Sequence, residues 1–213
     1  MPARTPRHPR HVPLRLIGAL ALLATASPTL AASSSDPLWP CIQPKVPTLA
    51  AAQMWAGPPI ENLNWRSDPQ ISELVPIIAA RRTPMDEADT LIDAFAADAG
   101  ANKKTRLTLL FAGVFDEINT LRSRILSGIE RYSQHQIDLA KRIKEESLSL
   151  AKAKKAATSD DDKAKTAELE KKVLWDTRIY DARNQAVTAV CESPVILEQR
   201  IFALSRSIQN VME

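Results

Sequence analysis

Few side chains in this chain are placed to do chemistry, and the largest group of them sits where a helix seam calls for leucine. His135, Asp176, Tyr180 and Arg183 fall at apolar positions of a long heptad pattern. Polar residues buried at such positions fix the register of paired helices. A histidine among them adds a second reading, a pH-responsive hinge, because imidazole titrates near neutrality. Asp86, Asp89 and Asp93 form a second group, on one face of a helix. They have the chemistry to hold a cation, but carboxylates on one helix converge less closely than those of a calcium loop. Acids early in a helix also complement its dipole, so a solvated acidic face is expected. The third group is the pair Cys41 and Cys191, with no C-x-x-C spacing that would mark a thiol oxidoreductase.

The remaining catalytic repertoire is thin. Two of the three histidines, His8 and His11, lie in a basic leader, which leaves His135 alone in the rest of the chain. One histidine excludes H-E-x-x-H, the paired E-x-x-H helices of a di-iron bundle and any multi-histidine zinc site. The chain has no G-x-S-x-G elbow, no haem-attachment motif and no glycine-rich phosphate loop. No catalytic residue, cofactor or metal ligand set is therefore expected. Binding chemistry is better represented. Trp175, with Leu174 before it and Ile179 one turn on, falls off the helix seam, and an exposed indole is a common anchor for a partner protein.

The leader governs how composition should be read. Arg4, Arg7, Arg10 and Arg15 precede the apolar run Leu16 to Ala26 and then SPTLAA, the order of a secretory signal peptide over residues 1–31. Eleven apolar residues fall short of the roughly 20 needed to span a bilayer, so no transmembrane anchor is expected in the mature chain. The whole chain carries 28 basic and 25 acidic residues; the leader takes four arginines, leaving 24 against 25, a net charge of −1. A basic isoelectric point that belongs to the leader is no argument for nucleic acid. Export to an oxidising compartment makes a Cys41–Cys191 disulfide the default state of the two thiols.

The elements that must position these residues come in two styles. Nine prolines and three of the four tryptophans crowd into residues 37–84, and residues 85–193 have no proline. Proline fixes φ and lacks a donor, so residues 32–66 read as an extended strap with Trp39, Trp55 and Trp65 as pegs and Cys41 as a rivet. Two of its segments, WPCIQPKVP and MWAGPP, are distinctive without carrying a signature of activity.

Helical spacing follows. Asp68 is placed to cap a helix over 69–82 with Pro69 at its first position and Pro76 kinking or shortening it. Thr83 and Asp86 suggest a capping box for a helix over 84–99. A long hairpin of 102–156 and 160–212 has an outgoing seam at Leu107, Phe111, Val114, Ile118, Leu121, Ile125, Gly128, Tyr132, His135 and Leu139. The return seam runs through Leu169, Val173, Asp176, Tyr180, Arg183, Val187 and Val190, then resumes in phase beyond a break at Ser193-Pro194 as Leu197, Ile201, Leu204, Ile208 and Val211. Folding about 158–159 sets Gly128 against Ala189 in close approach and Asp138 beside Arg178.

The fold class is thus all-α: an elongated antiparallel helical hairpin, a small helical bundle at its base, and an irregular strap. The functional expectation is an exported, periplasmic, non-enzymatic accessory protein that binds another envelope protein, or a second copy of itself. A holdase chaperone and a ligand- or metal-responsive binding protein are the alternatives.

Overall fold

The computed structural model describes residues 36–213. The leader read as an export signal, residues 1–31, lies outside the described residues. Among the described residues the regular elements are helices only: α1 Pro69–Ala79, α2 Met85–Asp98, α3 Lys103–Ala156 and α4 Asp160–Asn210, with short 3-10 turns at Ala51–Gln53, Trp65–Ser67 and Gly100–Asn102. The all-α expectation holds. None of these helices is long and apolar enough to cross a membrane.

α1 begins as the sequence dictates. The Asp68 carboxylate accepts from the amides of Gln70 and Ile71 at 3.0 and 3.2 Å, with Pro69 in the first turn. Arg106 on α3 pairs with the same carboxylate at 3.1 Å, so the cap also ties α1 to α3. α1 stops at Ala79, three residues beyond Pro76 and short of the expected 82. Its last carbonyls are taken up by side chains. Arg200 of α4 donates to the Ile78 carbonyl at 2.6 and 3.1 Å, and the Thr83 hydroxyl to that of Ile77 at 2.7 Å. Thr83 is thus buried and committed to α1. The expected capping box at α2 does not form, and Pro84 stands at its N-cap without a side-chain bond.

The core lies where these short helices meet the start of α3 and the end of α4. Ile71 and Val75, Ile92 and Phe95, Leu107 and Phe111, and Leu197 and Ile201 are all at most 2% exposed. Burying each such side chain is worth roughly 1.5–3 kcal/mol. The strap closes this core. Trp55 stacks on Phe111 with ring centres 4.1 Å apart, and Trp65 donates its indole N–H to Asp116 at 3.0 Å. Trp39 departs from the expected set of pegs: it is only partly covered and turns its N–H back to the Gln43 carbonyl at 2.7 Å.

Gly113 makes the packing of strap, α1 and α3 possible. A Cβ there would lie 2.6 Å from Val75 Cγ2 and 2.9 Å from Trp65 Cδ2. Gly113→Ala is predicted to destabilise the protein by about 1–3 kcal/mol through overpacking. A urea titration checks this, and an unchanged midpoint would show that the helices give way freely.

α3 and α4, of 54 and 51 residues, are each about 80 Å long at helical rise. They run antiparallel, as the cross-helix bonds Lys154–Glu170, Lys172–Glu146, Arg142–Asp176 and Arg122–Glu198 require. The return is set by Ser159, whose hydroxyl accepts from the Asp162 amide at 3.1 Å while Asp162 accepts from the Ser159 amide at 3.3 Å. The Ser159 hydroxyl also donates to the Asp162 carboxylate at 2.7 Å, and that bond, then the one from the Ser159 amide, holds the carboxyl below the usual carboxylate range.

Three details of the hairpin differ from expectation. First, α4 runs through Ser193-Pro194 unbroken, with Pro194 buried. Proline removes one backbone donor, but the disulfide at Cys191 and the buried Leu197 secure the helix on either side of the defect. Second, Gly128 makes no close approach to Ala189, since a Cβ added to it would meet only Arg131 of its own helix, at 3.9 Å. Third, between Ile118 and Leu139, both buried as expected, the seam of α3 moves forward by one residue. It buries Arg122, Leu126, Ile129, Ser133 and Gln136, not Leu121, Ile125, Gly128, Tyr132 and His135. A straight helix drifts about 20° per heptad against a strict 3.5 repeat. Between Leu107 and Arg122 the drift reaches about 40°, nearly half the angle between successive residues, enough to turn the next position inward.

Candidate functional site

The slipped seam rearranges the polar layer. Asp176 is 7% exposed and accepts from Arg142 at 2.9 Å; this bond, then the charge of Asp176, raises the Arg142 pKa further. Tyr180 stays partly covered, but His135 and Arg183 are both exposed, so neither side chain belongs to the seam. Gln136 and Ser133 take those places. Gln136 donates to the Tyr180 carbonyl at 3.3 Å, and the Tyr132 hydroxyl donates to the Arg183 carbonyl at 2.5 Å. Positions 181–186 of α4 are all exposed. The layer is polar, as expected, but it is built from α3 side chains on α4 carbonyls. A pH-responsive hinge centred on His135 loses its geometric basis. The expected Asp138–Arg178 pair gives way to Arg142–Asp176, while Asp138 accepts from Gln134 at 2.9 Å.

Trp175 is 61% exposed and Leu174 54%, while Ile179 is partly covered. They do not form one patch. Successive helical residues point about 100° apart, and Val173 and Asp176 face α3, so Leu174 and Trp175 flank the seam on opposite sides. Ile179, four residues on, shares the Trp175 side.

The junction of strap and hairpin is held by a covalent bond and two clusters of charged groups. Cys41 and Cys191 form a disulfide with Cα atoms 5.5 Å apart. Beside it Lys45 bridges Glu130 of α3 and Asp36 of the strap, the latter at 3.2 Å. Hydrogen bonds to Glu130, then Asp36, raise the Lys45 pKa; the Leu38 amide, then Lys45, lower that of Asp36. Arg122, with its side chain 2% exposed, pairs with Glu198 of α4 at 2.6 Å and donates to the strap carbonyl of Val46. A buried guanidinium is tolerated when its donors are met. Sequence reading missed Arg122, because its neighbour Leu121 was the obvious seam residue. The only available signal was the helical drift described above.

The acidic face of α2 does not converge on a point. Asp89 accepts from the Ser207 hydroxyl of α4 at 2.6 Å. Among the described residues no group of three or more His, Cys, Asp or Glu side chains is placed to hold a metal ion.

The strap leaves recesses on the base. One of about 570 Å³ lies between residues 49–66 and α3, with Ile60 and Phe115 in its wall and Glu61 and Asn119 at its rim. A smaller one of about 320 Å³ lies between Pro58-Pro59 and the first turns of α3. Fold and surface therefore define a class, an all-α protein with a disulfide-fastened strap and a long two-helix projection. Comparison with protein-family models, with curated proteins and with solved structures gives no match, so function is argued from the chain's own geometry.

Proposed function

We propose that this is an exported, periplasmic, non-enzymatic accessory protein that binds another protein of the cell envelope through its two-helix projection. The observation that carries the reading is Trp175, an indole 61% exposed on the far part of the hairpin with Ile179 beside it. A free indole on a long rigid element suits an anchor that fills a pocket on a partner. The leader and the disulfide support export to an oxidising compartment.

The test is affinity capture of the tagged, exported protein from crosslinked cell envelopes, with Trp175→Ala beside the wild type. One dominant stoichiometric partner is expected, with capture reduced tenfold or more in the variant, about the scale of a 2 kcal/mol hot spot. Because Trp175 is exposed, the variant should keep the wild-type melting temperature. A broad mixture of clients would replace this reading with a holdase. Recovery of the protein alone, in its monomeric form, would remove the partner altogether.

A further inference from the structure

The MWAGPP segment builds a cleft that the stalk reading does not use. Its shape is fixed from within. The Trp55 indole donates to the Pro58 carbonyl at 2.7 Å, and the chain passes so close to the ring that a Cβ on Gly57 would lie 2.4 Å from it. Pro58 and Pro59 are thereby held outward against α3. With Leu63 and Leu109 they enclose the recess of about 320 Å³, near the small end of the range for ligand pockets, about 300–1,000 Å³. Leu63 is 39% exposed, so this is apolar surface left open on a rigid frame. Asn62, at φ 63°, makes the turn that presents it.

The polar side of the cleft has one sign. Lys104 stands in the lining with Thr105, there is no acid among the lining residues, and the first turn of α3 carries none. Among the described residues Lys104 forms no ion pair, as is true of several other lysines of the chain, so its ammonium is open to a ligand; on the far side of Pro58 it also lines a recess with Glu213. The Thr108 hydroxyl is already committed to the Lys104 carbonyl at 2.8 Å, and Arg106 to Asp68. An apolar pocket of this size beside an ammonium matches a group with both characters, a bulky apolar side chain next to a carboxylate.

We propose that this cleft takes the C-terminal residue of a partner polypeptide, its side chain between Pro59 and Leu109 and its chain-end carboxylate on Lys104. Capture of a terminal carboxylate is an established mode of peptide recognition, and an ionised acceptor strengthens the hydrogen bonds it receives. The small volume favours a single side chain over an acyl tail, most of which would remain in water. The prolines and the buried tryptophan limit the ordering needed on binding.

The experiment uses the disulfide-intact protein and fluorescein-labelled octapeptides ending in Leu or Phe, each as free acid and as C-terminal amide, read by fluorescence anisotropy. The free acids should bind about tenfold or more tightly than the amides, the scale of one charge-assisted contact. Lys104→Met should bring the acids to the amide level and leave amide binding unchanged. Leu63→Ser should weaken both forms. Both positions are exposed, and circular dichroism confirms that the variants fold. Equal affinity for acid and amide, or no binding at millimolar peptide, would overturn the proposal. Displacement of peptide by decanoate at lower concentration than by unlabelled peptide would reassign the cleft to acyl chains. Trp175→Ala should bind these peptides as wild type does, which separates this outcome from that of the stalk.

Discussion

Trp55→Ala is expected to lower the unfolding free energy by about 3–5 kcal/mol, the range for deleting a large buried aromatic. The ring is 7% exposed and lies almost parallel to Phe111, at 8°, so truncation removes both burial and a stacked pair. It also removes the donor to the Pro58 carbonyl and the surface that Gly57 packs against. The strap beyond it keeps the bonds from Ser205 and Gln209 to the Met54 carbonyl, at 2.6 and 3.2 Å, which limits how far the cavity can collapse. Urea unfolding monitored by far-ultraviolet circular dichroism gives the value, and Trp55→Phe should recover most of the loss. A deficit under about 1 kcal/mol would mean that the strap covers the core without stabilising it.

Removing the disulfide is the second large effect. Cys41 and Cys191 are 150 residues apart, and the chain-entropy estimate for a loop of that length is about 5 kcal/mol, with measured losses typically about 2–5. The double variant Cys41→Ser/Cys191→Ser avoids stray thiols and should show a loss within that range. Its consequence in the native state should be local. Residues 36–48 rely on the bridge, on Lys45 and on Arg122, whereas 49–66 are held by Trp55, Trp65 and the Asn119 side chain, which accepts from the Leu49 amide at 3.2 Å. Hydrogen exchange should therefore rise in 36–48 and stay low around Trp55 and Trp65. Uniform loss of protection across the strap would show that the disulfide, and not the tryptophans, fastens it.

Much of this architecture was legible because it rests on local chemistry. The absence of proline between residues 85 and 193 permits long helices, and Asp68-Pro69 marks a helix start. Heptad apolar spacing also gave the return seam at Leu197, Ile201, Leu204 and Ile208 in correct phase across Pro194. Where sequence reading slipped, two local signals competed. Thr83 resembles a cap, yet the open end of α1 takes its hydroxyl. Leu121 looks like the seam residue, yet it is 40% exposed while Arg122 beside it is buried.

The surface followed the same division. Trp175 falls off the seam by spacing alone, and it is exposed. That Leu174 faces the other flank needs the orientation of α4 on α3. Lys104 and Leu109 lie far along the chain from Pro59 and Leu63, so no pattern along the chain marks their cleft.

By itself, then, the sequence determined the helical class, the cap at Asp68, the single pairing open to its two cysteines and the off-seam position of Trp175. Those features depend on periodicity, on backbone donors and on covalent chemistry, which act over a few residues or admit one partner. Only the tertiary structure decided which residue of each adjacent pair faces inward, that Trp39 is no peg, that Arg122 is the buried charge at the strap junction, and that MWAGPP frames a cleft. Helical drift accumulates over several turns of α3, and polar groups bond whichever partner packing brings nearest. Both are properties of the assembled elements and not of any segment alone.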